Sequence, residues 1–492
     1  VRMLTKLSSR AGELFGFLNR TDGSLRSKIL RSGFWQALAT IGVNGLTFAK
    51  SAVLARLLVP EAFGLMTLSL MAIRGAQLIT ETGFGSAMVQ RQGDWASARD
   101  TAFTLLALRG ILLAVLMVPI AFGMAAFYDK PELVALISVL GVSFLFSGLG
   151  NIDLMLTIRE LDFKKIAVIE NVVGFSSFVI AIAIAWWTRS VWALVASFVA
   201  AALIKSVMSY VLIPGRPVFQ IDRKVAMELL HYGKFITAST ILMFIASEAG
   251  GAVIGKMLDV AQLGHYSVAF LLANFPPTHV AFVLSNIMFP AYSKIQNDLP
   301  VLRKTFAQVT EVIASLVMPV MAGMAAAAST MITTFYGAGW ENAVEPFRIL
   351  CIYGALHAIV TVNGYMFNGI GRPDIGFRIA VIRVVSILVL IVPAIKLGGT
   401  VGAAAAMSFV MVLNLAYGLY QVTRVMGASK LEVTRPLLPA LVKSIAAGGA
   451  IWLADQFVPD SKLKIVWLIL TGAVVYVPMN IGMIKAVLKL KK

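Results

Sequence analysis

Charged residues are scarce in this chain of 492 residues: 13% are Asp, Glu, Lys or Arg, whereas soluble domains carry about a quarter. Hydrophobic residues make up 59% of the sequence, and the mean hydropathy is +0.85. This shortage of charge excludes an ordinary soluble domain. Stretches of 18 or more mostly apolar residues recur along nearly the whole length, which indicates membrane-spanning helices. We therefore predict an all-α, polytopic membrane protein.

Cysteine and histidine are almost absent, with one Cys and four His. Cys351 lies inside an apolar segment, so we expect neither an internal disulfide framework nor a CxxC metal site. The sequence also lacks the phosphate-binding pattern GxxxxGK[ST], a recognisable Ser/His/Asp arrangement and a pair of catalytic carboxylates. We therefore expect no metal, no other cofactor, no ATPase and no enzymatic activity.

Basic residues outnumber acidic ones by 42 to 24, which gives a net charge of +18. A charge of that size often indicates nucleic-acid binding. Here, however, the basic residues are dispersed beside apolar segments and do not form one stripe that matches a row of phosphates. We therefore expect no nucleic-acid partner.

The apolar runs predict about 14 transmembrane helices. The candidate spans cover residues 33–55, 63–88, 101–127, 132–155, 166–187, 191–213, 233–256, 264–290, 305–328, 344–369, 376–396, 399–425, 437–457 and 463–486. With the N-terminus inside, 28 of the 42 basic residues lie in or at the edges of the inner segments and 7 lie in the outer loops. Because Lys and Arg favour cytoplasmic loops, we predict that both termini are cytoplasmic.

The second half of the chain repeats the first at a spacing of 200 residues. The register pairs Ala49 with Ala249 and Gly64 with Gly264, and it sets Arg56 against Lys256. Spans 1 and 7 both start on the cytoplasmic side, so we predict two parallel-repeat six-helix lobes, an arrangement known in alternating-access transporters.

The repeat also predicts the domain boundaries. They are a basic cytoplasmic N-terminal segment (1–31), an N-lobe of spans 1–6 (32–213), a cytoplasmic linker (214–232), a C-lobe of spans 7–12 (233–425), and a C-terminal helix pair with a basic tail (426–492). Leucines at helical spacing within 1–31 suit a surface-lying helix, and a disordered basic tail is the equally good alternative.

Several stretches in a fixed order resemble the polysaccharide-transporter family of the multidrug/oligosaccharidyl-lipid/polysaccharide exporter superfamily. They are ARLLVPEAFG (55–64), TGFG (82–85) and VQR (89–91) in the first half, and LGHYS (263–267), FPAY (289–292), FYGAGW (335–340) and NGIGRP (368–373) in the second. The resemblance covers essentially residues 32–486.

This resemblance implies a flippase whose two helical bundles open alternately to each side of the membrane. The implied cargo is an oligosaccharide on undecaprenyl pyrophosphate, moved to the periplasmic leaflet of the bacterial inner membrane for exopolysaccharide, capsule or lipopolysaccharide O-antigen assembly. Membrane lipids are further expected partners, as are the periplasmic polymerase and chain-length machinery. Because the sequence has no ATPase motif, we expect transport to be driven by an H⁺ or Na⁺ gradient, by the membrane potential or by removal of the product.

Cations inside the spans are the candidates for holding an anionic cargo, because an unpaired charge in hydrocarbon is unfavourable. The first helix of the related lipid II flippase resembles this chain and has arginines matching Lys50 and Arg56. Lys50 is therefore the leading candidate. The other candidates for the pyrophosphate or sugar are Arg74, Arg56, Arg109, Arg348 and Arg383. Snorkelling is the competing interpretation for Lys50, Arg56 and Arg109, and an interior ion pair is the competing one for the others.

Two acidic residues, Glu248 and Glu81, are candidates for ion coupling, because a carboxylate within a membrane can exchange protons or bind a cation. A structural hydrogen bond is the alternative for Glu248, and an ion network with Arg74, two turns away, is the alternative for Glu81. Pro276 and Pro277 predict a kink in span 8, acting either as a hinge or as a static bend.

Two other functions compete with the flippase. A multidrug exporter of the same superfamily would have twelve spans and an acidic cavity. A membrane-embedded polysaccharide polymerase or ligase would need an outer loop of about 30 residues or more with catalytic side chains, whereas the outer loops predicted here are short.

Overall fold

The computed structural model describes residues 25–79, 95–160, 162–227, 237–459 and 463–481, and in these ranges all regular structure is helical. The α-helices are α1 (Leu25–Leu57), α2 (Pro60–Ile79), α3 (Trp95–Tyr128), α4 (Glu132–Gly148), α5 (Leu154–Arg159), α6 (Phe163–Thr188), α7 (Trp192–Leu212), α8 (Thr237–Met257), α9 (Val260–Ile295), α10 (Leu299–Ala326), α11 (Ala328–Phe335), α12 (Val344–Gly369), α13 (Pro373–Met426), α14 (Lys430–Thr434), α15 (Leu437–Phe457) and α16 (Lys464–Met479). A single 3-10 turn, Glu341–Ala343, precedes α12. The all-α fold class is confirmed.

Eight of the described helices are long and apolar enough to cross a membrane, and α4 and α16 are shorter apolar helices. The 54-residue helix α13 is interrupted at Gly398 (φ −145°, ψ 19°) and Gly399 (φ 54°, ψ −132°). The left-handed φ of Gly399 is one that glycine adopts without a steric penalty. This break falls between the predicted spans 376–396 and 399–425. The total of 14 spans stays a prediction, and the proposed surface helix within 1–31 lies almost wholly outside the described residues.

Helix ends follow local sequence signals. Asp298 caps α10 by accepting a hydrogen bond from Val301 N (3.1 Å). Ser429 and Glu432 form a capping box at the start of α14, and Gly427 ends α13 in the left-handed conformation. Such caps satisfy backbone groups that have no partner within the helix. These signals explain why several predicted ends lie within a few residues of the observed ones.

The described chain forms two compact units. The first contains residues 25–51, 95–121, 135–160 and 162–227, and the second contains 52–79, 122–134, 237–459 and 463–481. Helices α1, α3 and α4 each contribute residues to both. The lobe boundaries that the repeat predicts stay predictions.

Small residues allow close helix packing in the first unit. A Cβ on Gly110 of α3 would lie 2.5 Å from Phe144 O of α4, and a Cβ on Gly148 would lie 2.6 Å from Leu106 O. Backbones that approach this closely are typical of helix pairs in membranes, where packing drives association. Helices α6 and α7 also pack along their length in this unit.

The start of the predicted linker is fastened to the first unit. Thr104 Oγ1 donates to Gln220 O (3.0 Å) and accepts from Gln220 N (2.9 Å). Asn151 Nδ2 donates to Gly215 O (2.8 Å), and a Cβ on Gly215 would lie 1.5 Å from the carboxylate of Asp153. Side chains of α3 and of the connection between α4 and α5 therefore satisfy the extended backbone of this segment, as buried polar backbone requires.

The second unit is built around α9, α12 and α13, with α2 and α8 on one part of this core and α10 and α15 on another. Its largest fully buried side chains include Trp340, Tyr292 and Phe347. Aromatic residues of this size contribute much of the buried apolar area of a core.

Candidate functional site

Lys50 lies in α1 within the first unit and is half-buried. Its ammonium donates to Ser177 Oγ of α6 (3.0 Å), and Ser177 in turn donates to Ser197 O of α7 (3.4 Å). In the part of the chain that the structure describes, no carboxylate pairs with Lys50. The described partner of the ammonium is therefore one neutral hydroxyl oxygen, which does not compensate its charge.

Arg74 and Glu248 form an ion pair in the second unit. Arg74 Nη1 of α2 lies 2.7 Å from Glu248 Oε1 of α8. The Arg74 side chain is 54% exposed, whereas the Glu248 side chain is 14% exposed. This ion pair thus connects Arg74, which is predicted to bind the cargo, with Glu248, which is predicted to couple transport to an ion. Glu81, the other partner considered for Arg74, lies outside the described residues.

The two repeats cross at a pair of glycines in the second unit. A Cβ on Gly64 would lie 1.9 Å from Val260 O, and a Cβ on Gly264 would lie 1.9 Å from Pro60 O. Since Gly64 matches Gly264 and Pro60 matches Val260 in the repeat, the two contacts are reciprocal. Reciprocal contacts of this kind are what a two-fold axis produces. They support the parallel repeat that the sequence predicts.

Arg56 and Lys256 make a second reciprocal pair. Arg56 donates through Nε to Phe335 O (3.2 Å) and through Nη2 to Thr334 O, at the end of α11. Lys256 donates through Nζ to Phe127 O (2.5 Å), at the end of α3. Each cation therefore satisfies carbonyls at a helix C-terminus, where the helix dipole is negative.

The sequence around these helix ends also repeats, although we did not predict it. Phe127-Tyr128 corresponds to Phe335-Tyr336, and the next residue is left-handed in both copies, with φ 55° at Asp129 and 92° at Gly337. The eight residues inserted between the copies shift this match out of the 200-residue register. A comparison that allowed such an insertion would have found it.

Trp340 joins the two repeats further. It is 1% exposed, and its Nε1 donates to Ala55 O (2.8 Å). Its ring meets Phe63 of the first repeat (centroids 5.0 Å apart) and His265 of the second (5.5 Å). His265 is therefore part of an aromatic contact, and no group of metal-binding side chains occurs among the described residues.

The remaining candidate cations have separate surroundings. Arg348 is exposed and pairs with Glu345 one turn away, in line with the ion-pair interpretation. Arg383 of α13 donates through Nη2 to Tyr353 OH (2.9 Å), and its buried Nε has no hydrogen-bond partner among the residues that the structure describes. Arg109 is half-buried in α3 of the first unit. Lys50 and Arg109 belong to the first unit and the other four candidates to the second, and the roles of all six stay predictions.

Pro276 and Pro277 lie within α9, which continues as a helix through both. Each proline removes one backbone donor from the helix interior. Their hinge role stays a prediction.

Comparison with known proteins identifies the family. The family model described as "Polysaccharide biosynthesis protein" matches residues 53–345. The chain belongs to the polysaccharide biosynthesis protein family. The match includes both glycines of the reciprocal crossing, Gly64 and Gly264, and the ion pair of Arg74 with Glu248.

Curated relatives match this polysaccharide biosynthesis protein over most of their length. Lipopolysaccharide biosynthesis protein WzxC of Escherichia coli is 25% identical over 438 residues, covering 86% of this chain and 88% of WzxC. Teichuronic acid biosynthesis protein TuaB of Bacillus subtilis is 23% identical, covering 92% and 95%. Succinoglycan biosynthesis transport protein ExoT of Rhizobium meliloti is 24% identical, covering 91% and 92%.

Solved structures show the same fold. The inward closed conformation of lipid II flippase MurJ matches this polysaccharide biosynthesis protein with a TM-score of 0.73 at 15% identity, covering 92% of this chain and 99% of that one. An inward-facing multidrug resistance MATE transporter of the MOP superfamily matches with a TM-score of 0.62 at 15% identity, covering 81% and 99%. The expected superfamily fold is confirmed.

Proposed function

We propose that this protein is a flippase that moves lipid-linked oligosaccharide units across a membrane for polysaccharide assembly. The observation that carries the proposal is the match to WzxC, TuaB and ExoT over 86–92% of this chain. ExoT is described as a transport protein, and all three relatives are described by the synthesis of a polysaccharide. Over 205 residues the chain is also 29% identical to lipid II flippase MurJ of Bacillus subtilis.

The proposed cargo is an oligosaccharide on undecaprenyl pyrophosphate, and the proposed location is the bacterial inner membrane with both termini in the cytoplasm. A pyrophosphate carries at least two negative charges, which fixed cations stabilise in a low-dielectric environment. Lys50 supports this proposal because the hydrogen-bond partner of its ammonium within the described ranges is Ser177, a neutral residue. The matching position of the second repeat is Gly250, so the charge is specific to the first repeat.

We propose that the ion pair of Arg74 and Glu248 couples binding of the cargo to uptake of an ion. A phosphate offers the Arg74 guanidinium a competing anion with bidentate geometry. When Arg74 turns to the phosphate, Glu248, whose side chain is 14% exposed in the ion pair, loses its counter-ion. A carboxylate left in that state is stabilised by taking up a proton or a cation. Cargo binding and H⁺ or Na⁺ uptake are coupled by this exchange.

Alternating access requires contacts that close one side and then separate. The reciprocal contacts near Gly64 and Gly264, together with Arg56 and Lys256, lie at the predicted outer ends of the helices. We assign the closing of the outer side to them. Arg56 then has a gating role, and its predicted contact with the cargo is secondary.

The enzyme alternative gains no support from the described outer connections. On the predicted outer side, α1 and α2 are joined by two residues, and so are α8 and α9. No described connection there approaches the length that a catalytic outer loop would need.

Translocation in proteoliposomes tests the proposed function. Purified protein is reconstituted with a fluorescent undecaprenyl-pyrophosphate oligosaccharide, and its appearance in the opposite leaflet is followed with and without H⁺ and Na⁺ gradients. We expect protein-dependent translocation of the oligosaccharide lipid. Equal translocation by empty liposomes would refute the flippase assignment. Transport of small cationic drugs without transport of the oligosaccharide lipid would instead identify a multidrug exporter.

A further inference from the structure

Lys443 is a cation inside a membrane-spanning helix that the proposed transport mechanism does not use. It lies in α15, six residues after the helix begins at Leu437. Its Nζ donates to Asn480 Oδ1 (2.9 Å) and lies 3.4 Å from Ser315 Oγ. Both partners are neutral, and no ion pair of Lys443 occurs among the residues that the structure describes. A half-buried ammonium among neutral groups is stabilised by an anion from outside the chain.

The ammonium is held in place from several sides. Asn480 is 1% exposed and donates its Nδ2 to Tyr476 O (3.0 Å), which directs its Oδ1 to Lys443. Tyr476 OH donates to the backbone oxygen of Ser315 (2.9 Å). Helices α10 and α15 and the C-terminal end of α16 therefore share one polar cluster. A lysine fixed in this way differs from one that snorkels freely to the interface.

A cleft of about 420 Å³ opens one helical turn from this cluster. Its walls include Glu311 of α10 and Pro439 of α15. These residues precede Ser315 and Lys443 by four positions each, which is about 6 Å along a helix. The lining of the cleft therefore ends about one turn of each helix from Ser315 and Lys443, which are not themselves lining residues.

Positive charge exceeds negative charge in the cleft. The charged lining residues are Arg303, Lys304, Arg435, Glu311 and Glu432. Arg303 is engaged by Met426 O (2.8 Å), and the carboxylate of Glu432 is engaged by the capping box. Lys304 and Arg435 are exposed and have no described ion pair. The N-terminal end of α15 at Pro436 adds a partial positive charge.

We propose that this cleft and Lys443 form a binding site for the phosphate group of a membrane lipid. Positive clefts between helices on the cytoplasmic side bind lipid head groups, and the positive-inside bias predicts that residues 426–436 are cytoplasmic. Leu438, Leu441 and Ile445 are exposed on α15 and offer an apolar surface to a lipid chain. The site gives the C-terminal helix pair, which lies outside the two repeats, a role in lipid recognition.

Native mass spectrometry of the purified full chain tests this proposal without measuring transport, so its outcome is separate from that of the flippase assay. The probes are phosphatidylglycerol, undecaprenyl phosphate, diacylglycerol and inorganic phosphate. We expect Lys443→Gln, which retains a donor for Asn480, to weaken binding of a phosphate-bearing lipid about tenfold. The matched control is Lys205→Gln. Lys205 also lies within a predicted span, but it is paired with Glu170 at 2.7 Å. The Lys205→Gln substitution should change lipid binding less than twofold.

The probes distinguish the source of the phosphate. A loss confined to phosphatidylglycerol identifies a phospholipid site, and a loss confined to undecaprenyl phosphate identifies a site for the lipid carrier; either result supports the proposal. Unchanged lipid binding in Lys443→Gln, an equal loss for diacylglycerol, or specific binding of inorganic phosphate alone would overturn it. If Lys443→Gln does not fold, Arg435→Gln at the exposed mouth of the cleft should still weaken phosphate-lipid binding about threefold, and no change there would overturn the proposal.

Discussion

Lys50 and Arg74 are both cations within predicted spans, yet they differ in how their charge is compensated. The ammonium of Lys50 is hydrogen-bonded to Ser177, which carries no charge, whereas the guanidinium of Arg74 lies 2.7 Å from the carboxylate of Glu248. An uncompensated cation attracts an anion more strongly than a paired one. We therefore expect loss of Lys50 to weaken cargo binding directly, and loss of Arg74 to act partly through Glu248.

Replacement of Lys50 by Ala should lower polymer export at least tenfold at normal protein abundance, because the protein loses the cation proposed to hold the pyrophosphate. Lys50→Arg should retain much of the activity, since the charge is kept. Export is measured as cell-surface polysaccharide in a strain that lacks the native protein. Lys205→Ala is the control, because that lysine is paired with Glu170. Normal export by Lys50→Ala would refute the role of this residue.

Glu248→Gln should uncouple transport from the ion gradient. The neutral amide cannot exchange a proton with the medium, and Arg74 then lacks its partner. We expect translocation in proteoliposomes to proceed but to respond less than twofold to an imposed H⁺ or Na⁺ gradient that stimulates the wild type. Glu345→Gln is the control, since Glu345 forms a surface ion pair with Arg348. An undiminished gradient response in Glu248→Gln would exclude it as the coupling group.

The crossing of the helices at Gly64 and Gly264 leaves no space for a side chain. Even a methyl group at either position would meet a backbone oxygen at 1.9 Å. A backbone cannot move aside as the end of a flexible side chain can. The helices would have to separate or tilt, with loss of the packing around Trp340.

Gly64→Ala and Gly264→Ala should each destabilise the protein by about 1–3 kcal/mol, the usual range for overpacking. The matched control is Gly364→Ala in α12, where an added Cβ would meet nothing within 4 Å. Thermal unfolding in detergent measures the difference. Equal midpoints for Gly64→Ala and Gly364→Ala would show that the crossing is looser than described.

The contact between Lys256 and the end of α3 provides a test of gating. In a Cys351→Ser background, Phe127→Cys and Lys256→Cys are joined with a short bifunctional thiol reagent that carries a reducible bond. We expect cross-linking to stop transport and reduction to restore it, because the outer side can then separate again. The native ammonium lies 2.5 Å from Phe127 O and 5.2 Å from its ring, so the pair is within reach of such a reagent.

The single-cysteine variants treated with the same reagent control for chemical modification. Transport at the uncross-linked rate after complete cross-linking would identify this contact as a static part of the scaffold. Because the untreated double variant is measured in the same assay, a gating failure remains distinguishable from a failure of the flippase assignment.

At the scale of the whole molecule, the sequence predicted the helical class, the family and several helix limits. Predicted spans 344–369 and 437–457 coincide with α12 and α15, because charged or proline-containing segments interrupt the apolar runs there. The pairing of Arg74 with Glu248 was not predicted. It joins positions 174 residues apart on two helices, and hydropathy carries no information about which helices become neighbours.

The anchored linker shows the same limit of sequence reasoning. Its proline, glycine and charged residues predicted a linker over 214–232, and that assignment stays a prediction. They did not indicate that Thr104 and Asn151 would hold it, because those residues belong to distant elements. Local composition identified the segment, whereas tertiary contacts decided its conformation.

The reciprocal crossing bears on how this chain arose and on which of its residues can change. Two identical half-length polypeptides would form the same contact as a homodimer, and gene duplication followed by fusion turns that dimer contact into an intramolecular one. Away from the crossing the two copies differ, as at Lys50, which the 200-residue register matches with Gly250. At the crossing neither glycine has room for a side chain. We therefore expect both Gly64 and Gly264 to be retained as glycine among relatives.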